Sequence, residues 1–146
     1  MKKILTYLTL LVCISCNSQE INKKELKGNW CPIYTSEGEN YYFEFYITDD
    51  KVYRINEIGW VPSVKYHLKG DFLYIEELGG YHKPINKGSI SIVNDTLIVN
   101  DGEGKSLYKR LKAHPNLGDC VNGEFDGNKL TTYFLERQSI WGKKSE

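Results

Sequence analysis

Between Leu26 and Leu111 the chain is a succession of short apolar runs, several alternating with polar residues, separated by turn residues. Tyr41-Tyr42-Phe43-Glu44-Phe45-Tyr46-Ile47 is the strongest run, aromatic-rich as strands prefer, and it ends at Asp49-Asp50. Lys51 to Ile55 follows as its hairpin partner. Val64, Tyr66 and Leu68 alternate with Lys65, His67 and Lys69, the period-2 pattern of a half-buried strand. Gly70-Asp71 turns this run into Phe72 to Glu76, and Asn94-Asp95 turns Ser89–Val93 into Thr96–Asn100. Asp101 to Gly104 leads into Ser106–Leu111. With a first strand over Trp30 to Tyr34, the pattern predicts eight strands in sequential hairpins. The expected fold is all-β: an eight-stranded antiparallel up-and-down barrel over residues 26–112, closed so that no sheet edge is left exposed.

The two ends of the chain read differently. Ala113 to Gly127 is loop-like, with Pro115, Gly118, Gly123 and Gly127. Asn128 is then a candidate N-cap for a helix over Lys129–Trp141, with Leu130, Tyr133, Phe134, Ile140 and Trp141 near one face. Thr131 and Thr132 leave a strand over Leu130–Leu135 as the alternative. Residues 113–146 are thus expected as a loop and helix packed on the barrel. At the other end, Lys2 and Lys3 precede the apolar run Ile4–Ile14, which is too short to span a bilayer and predicts an export signal over residues 1–15. Ile14-Ser15-Cys16 resembles the end of a bacterial lipobox, although Cys13 stands where Leu is usual. That resemblance implies lipidation of Cys16, a polar tether over 16–25, and a domain anchored in a bacterial cell envelope facing the periplasm or the cell surface. The alternative is an ordinary secretory signal cleaved near Ser18.

Composition and charge sharpen this picture. The 146 residues suffice for one ordinary domain. Lys and Arg number 19 and so do Asp and Glu, giving zero net charge. A nucleic-acid partner is therefore not expected, since counterion displacement needs a basic surface. Cleavage before Cys16 removes two lysines and leaves a mature net charge of −2. It also removes Cys13, so that with Cys16 lipidated two cysteines remain, Cys31 and Cys120. In an oxidising compartment these are expected as one disulfide, with two free thiols as the alternative. Neither their spacing nor the scatter of His67, His82 and His114 suits a metal site, and no cofactor is expected.

Gly28-Asn29-Trp30, preceded by Leu26 and placed ahead of an eight-strand meander, resembles the first strand of the lipocalin-like (calycin-type) superfamily. The chain is shorter than secreted lipocalins and lacks their second loop motif, which brings it nearer the small lipocalin-like domains of bacterial lipoproteins. The resemblance implies that Trp30 plugs the closed end of the barrel with Arg110 packed on its ring, as a barrel-closing pair.

Candidate functional residues follow. If odd positions of the second strand face inward, Tyr41, Phe43, Phe45 and Ile47 line the interior and Tyr42, Glu44 and Tyr46 lie outside. Tyr41, Phe43, Phe45, Tyr66 and Tyr74 are the candidate ligand-binding residues, because small-molecule pockets combine apolar walls with a few polar tips. The competing reading is that these rings simply fill the barrel. Arg54 and His67 also fall within strands and would orient a ligand if they pointed inward, although strand charges usually face solvent. Trp60 and Tyr81, in two aromatic-bearing loops, are candidate partner-binding anchors. The other reading of Trp60 folds it back over the barrel mouth. No catalytic motif of known spacing is present, so an enzyme is not expected. The leading expectation is a membrane-anchored, non-catalytic lipoprotein holding a small apolar or amphipathic ligand. The alternative is a protein-interaction lipoprotein, an envelope assembly factor or an inhibitor of a secreted enzyme, with the barrel as scaffold.

Overall fold

The computed structural model describes residues 21–33, 41–75, 87–100, 102, 104–141 and 143. Cys16 and Tyr81 lie outside them, as do the signal and the first half of the expected tether. Eight antiparallel strands form a closed barrel in chain order: β1 (Gly28–Pro32), β2 (Glu44–Ile47), β3 (Lys51–Asn56), β4 (Gly59–Lys69), β5 (Phe72–Ile75), β6 (Lys87–Val93), β7 (Thr96–Asn100) and β8 (Lys105–Arg110). β8 returns to pair with β1, Trp30 opposite Arg110 and Pro32 opposite Tyr108. Asn94 and Asp95, both at positive φ, make the two-residue turn that matches the twist of β6 and β7.

β4 begins earlier than the alternation predicts. Gly59 to Pro62, expected as loop, is strand. Val52 faces Val64 while Arg54 faces Val61, so β4 carries one extra residue at Pro62-Ser63. A bulge tolerates a proline that cannot donate to a ladder, and this break in periodicity disguised the strand.

Register alone sorts the barrel walls. Ile47 pairs with Val52 and Phe45 with Arg54. Tyr66 pairs with Ile75, Leu73 with Gly88, Ile90 with Val99, and Leu97 with Tyr108. These pairs share the inner face, because partners across a ladder lie on one side of the sheet. Phe43, Phe45, Ile47, Tyr66, Ile90, Leu97 and Tyr108 form the inner core with Leu26 and Trp30.

The inner end is closed by a short turn of helix, α1 (Lys23–Leu26), capped by Asn22. Residues 23–25, which the sequence pattern assigned to the tether, belong to this plug. Leu26 is fully buried, and its carbonyl accepts the Trp30 indole N–H at 2.9 Å. Arg110 lies over the Trp30 ring, 4.2 Å from its centroid. It donates to Asp95 Oδ1 at 2.7 Å and to the Lys27 carbonyl at 2.8 Å, and also to the Glu25 carbonyl. Gly28 sits at φ +124°, and a Cβ there would lie 3.0 Å from Arg110 Nη1. The glycine therefore serves both the backbone and the guanidinium beside it.

Two helices follow the barrel. α2 (Leu117–Val121) opens on a reciprocal Asn116–Asp119 capping box, in a stretch expected as loop. α3 (Gly127–Ile140) is capped by Asp126 rather than Asn128. Its buried residues are Leu130 and Phe134, while Tyr133 and Ile140, expected on the same face, are exposed. The two helices cover the outer face of β1–β3 and build a second core from Cys31, Tyr42, Ile55, Leu117, Leu130 and Phe134.

The expected disulfide is absent: Cys31 and Cys120 are both free. Both pack in this second core, Cys31 buried and Cys120 half-buried. Belonging to one cluster does not supply the close Cα approach and converging Cβ vectors that a bridge requires. Apolar packing and an ion pair seat the helices instead.

Candidate functional site

The inner face encloses a cavity of about 370 Å³. Its deep end is apolar, walled by Leu26, Phe45, Ile47, Val52, Leu73, Ile90 and Leu97. Toward the Glu57–Ile58 turn its wall is made of Tyr41, Arg54, Val61, Pro62 and Ser106. Tyr41 is 52% exposed, which places this end against solvent. Gly88 faces inward opposite Leu73 and leaves its share of the wall without a side chain.

Arg54 is the charged residue of the cavity wall. Its guanidinium lies 4.3 Å from the Phe43 ring centroid and 5.9 Å from that of Tyr41. Its Nε is buried and has no hydrogen-bond partner. The aromatic contacts contribute about 0.5–2 kcal/mol through the ring faces. They leave the in-plane Nε–H unmet, and a buried donor without an acceptor costs about 1–3 kcal/mol, more when charged. The contrast with Arg110 is direct, since that guanidinium stacks on Trp30 and each of its three nitrogens donates a hydrogen bond.

Three of the five candidate ligand-binding residues, Tyr41, Phe43 and Phe45, line the cavity. The other two do not. Tyr66 packs in the inner core below, where its hydroxyl donates to the Thr48 carbonyl at 2.7 Å. Burial raises its phenol pKa, helped by Asp49 and Asp50. Tyr74 faces outward and stacks on exposed His67 with ring centroids 4.9 Å apart. Both sit on strands in the expected positions; what alternation left open was the face of β5. The inward residues of β6–β8 were not singled out, and neither were those of β4 near its bulge. Arg54 was legible in part: once Ile47 faces inward, its hairpin partner Val52 and the next even position must follow.

Trp60 neither stands free nor folds over the mouth. It lies on the outer face, 43% exposed, with its N–H 3.4 Å from the Gly127 carbonyl at the start of α3.

A second polar cluster lies outside the barrel, beneath α3. Glu44, on the outer face as expected, is nevertheless only 1% exposed. Arg137 grips its carboxylate with two donors, Nε to Oε1 at 2.7 Å and Nη2 to Oε2 at 2.9 Å. The Tyr42 hydroxyl donates to Oε1 at 2.6 Å. Arg137 Nη1 also donates to the Pro115 carbonyl at 3.1 Å. Burial opposes the Arg137 charge, but the hydrogen bond and charge of Glu44 outweigh it and hold its pKa above the ordinary value. Burial, reinforced by Glu44, drives the Tyr42 phenol far up, and burial pushes the Cys31 thiol up to about 11. The groups of this cluster bond to one another and to the Pro115 carbonyl, and they seat α3 on the barrel.

Among the described residues no three His, Cys, Asp or Glu side chains gather as a metal site would require. In comparisons with known proteins the chain matches no family model, no curated protein and no solved structure.

Proposed function

We propose that the protein is a membrane-anchored, non-catalytic binding lipoprotein whose lipocalin-like barrel holds a small amphipathic ligand in its interior. The observation that carries this reading is the cavity itself. Its volume of about 370 Å³ falls within the roughly 300–1,000 Å³ of small-molecule sites. Apolar walls with, among the described residues, a single charged group near the open end match the usual makeup of such sites. Lipid anchoring in the bacterial envelope rests on Ile14-Ser15-Cys16 after the apolar run.

Native mass spectrometry of protein gently released from its host tests the binding, together with titration by prodan, a neutral amphipathic dye. A retained small mass and saturable dye uptake are expected. Bare polypeptide together with no saturable uptake would overturn the reading. The mass of the mature N-terminus separately tests lipidation at Cys16.

A further inference from the structure

We propose that the ligand is a monoanionic amphiphile whose carboxylate-sized head group sits against Arg54, with its aliphatic part running down the barrel toward Leu26. The inference rests on the binding function proposed above and names the chemistry of that site.

Arg54 holds the second inward position of β3, opposite Phe45, with Asn56 between it and the Glu57–Ile58 turn. It therefore stands in the upper half of the cavity, above the apolar floor. Phe43 and Tyr41 lie against the guanidinium and help fix its plane. A ring over a guanidinium occupies its face, whereas a carboxylate binds its edge through paired N–H donors. The buried edge nitrogen, Nε, lacks an acceptor. Among the described residues no acidic side chain pairs with Arg54. Cation, stacking and unmet donor together describe half of a bidentate ion pair.

Below Arg54 the wall offers no complementary charge to a polar tail. Phe45, Ile47, Val52, Leu73 and Leu97 surround the lower cavity, and Leu26 closes it. The remaining inward guanidinium, Arg110, is already satisfied by Asp95 and two carbonyls. An occupant with one anionic end and one apolar end fits this polarity. At roughly 30 Å³ for a water-sized group, the volume of about 370 Å³ holds about twelve such groups, the size of decanoate.

Calorimetric titration of the purified protein with decanoate and with 1-decanol, both below their aggregation limits, tests the proposal. Decanoate is expected to bind about tenfold to hundredfold tighter than decanol, the range for a charge-assisted hydrogen bond. Arg54→Met and Arg54→Gln are expected to abolish that preference by weakening decanoate about tenfold or more. If decanol equals or exceeds decanoate on the unaltered protein, the anionic subsite is overturned and the binding function stands. The subsite is likewise overturned if either folded variant binds decanoate undiminished. If neither compound binds and prodan is also refused, both readings fall. The comparison on the unaltered protein needs no variant, so a misfolded substitution leaves the test intact.

Discussion

Replacing Arg137 by Met should strip the Glu44 carboxylate of its counter-charge while keeping most of the side-chain bulk. Glu44 is 1% exposed, and Arg137 supplies two of the three hydrogen bonds described to its carboxylate. The Arg137 side chain is itself only 13% exposed, so water does not screen the pair effectively. Breaking a buried pair from one side costs about 3–5 kcal/mol, because the remaining charge stays desolvated. That is a large share of the roughly 5–15 kcal/mol that holds a domain together. In urea denaturation followed by tryptophan fluorescence, Arg137→Met should therefore lower the midpoint strongly. Removing both charges, as Glu44→Leu with Arg137→Met, should recover most of the loss, since apolar replacement of a buried pair is often neutral or better. A single-variant cost below about 1 kcal/mol would refute the reasoning. It would mean that Glu44 reaches water and that Leu130, Phe134 and Trp141 hold α3 without the ion pair.

Other consequences follow from the same packing. Cys31 and Tyr42 both keep their protons in the folded state beyond the pH at which the unfolded chain releases them. Stability should be full below about pH 9 and decline as pH rises toward 11, by about 2–3 kcal/mol for Cys31 alone. Denaturation midpoints against pH read this, and Cys31→Ala should flatten the slope. Gly118→Ala should destabilise by about 1–3 kcal/mol, because a Cβ would meet Asn29 Nδ2 at 2.8 Å and Tyr46 Cε2 at 3.0 Å; an unchanged melting temperature would count against the seating of α2. Arg54→Met should raise the stability of the ligand-free protein by about 1 kcal/mol or more by removing an unmet buried donor. A loss of stability in thermal melts would show that Arg54 serves the fold.

Much of the barrel could be read from the chain because strand and turn are local properties. The alternation of Val64, Tyr66 and Leu68 and the turn at Asn94-Asp95 depend on residues within a few positions of each other. The inward set of β2 followed from the same period. Tyr74 was harder, because β5 is short and its partly buried pattern does not mark an inner face. The early start of β4 was hidden by the bulge at Pro62-Ser63, which breaks the period.

The helix surface shows a different limit. The stripe of α3 that meets the barrel is Leu130, Phe134 and Arg137, continued by Trp141 just beyond it, whose N–H donates to the Pro32 carbonyl at 3.0 Å. A hydrophobic count cannot find a stripe in which a guanidinium replaces an apolar residue. It selected Tyr133 and Ile140, which are exposed. The cysteine pair failed for a related reason: number and compartment permit a bridge, but only geometry makes one.

Alternation and turn chemistry by themselves determined the number of strands, their order and which residues of β2 share a face, because each is set by near neighbours. Tertiary structure decided what covers each face. Glu44 and Arg54 look alike in the sequence, each a charge within a strand. One is buried outside the barrel because a helix 93 positions along the chain brings it a partner. The other points inside and has no partner for its buried Nε. Desolvation depends on the whole fold, and it is desolvation that makes the first charge a structural bond and the second a candidate binding site.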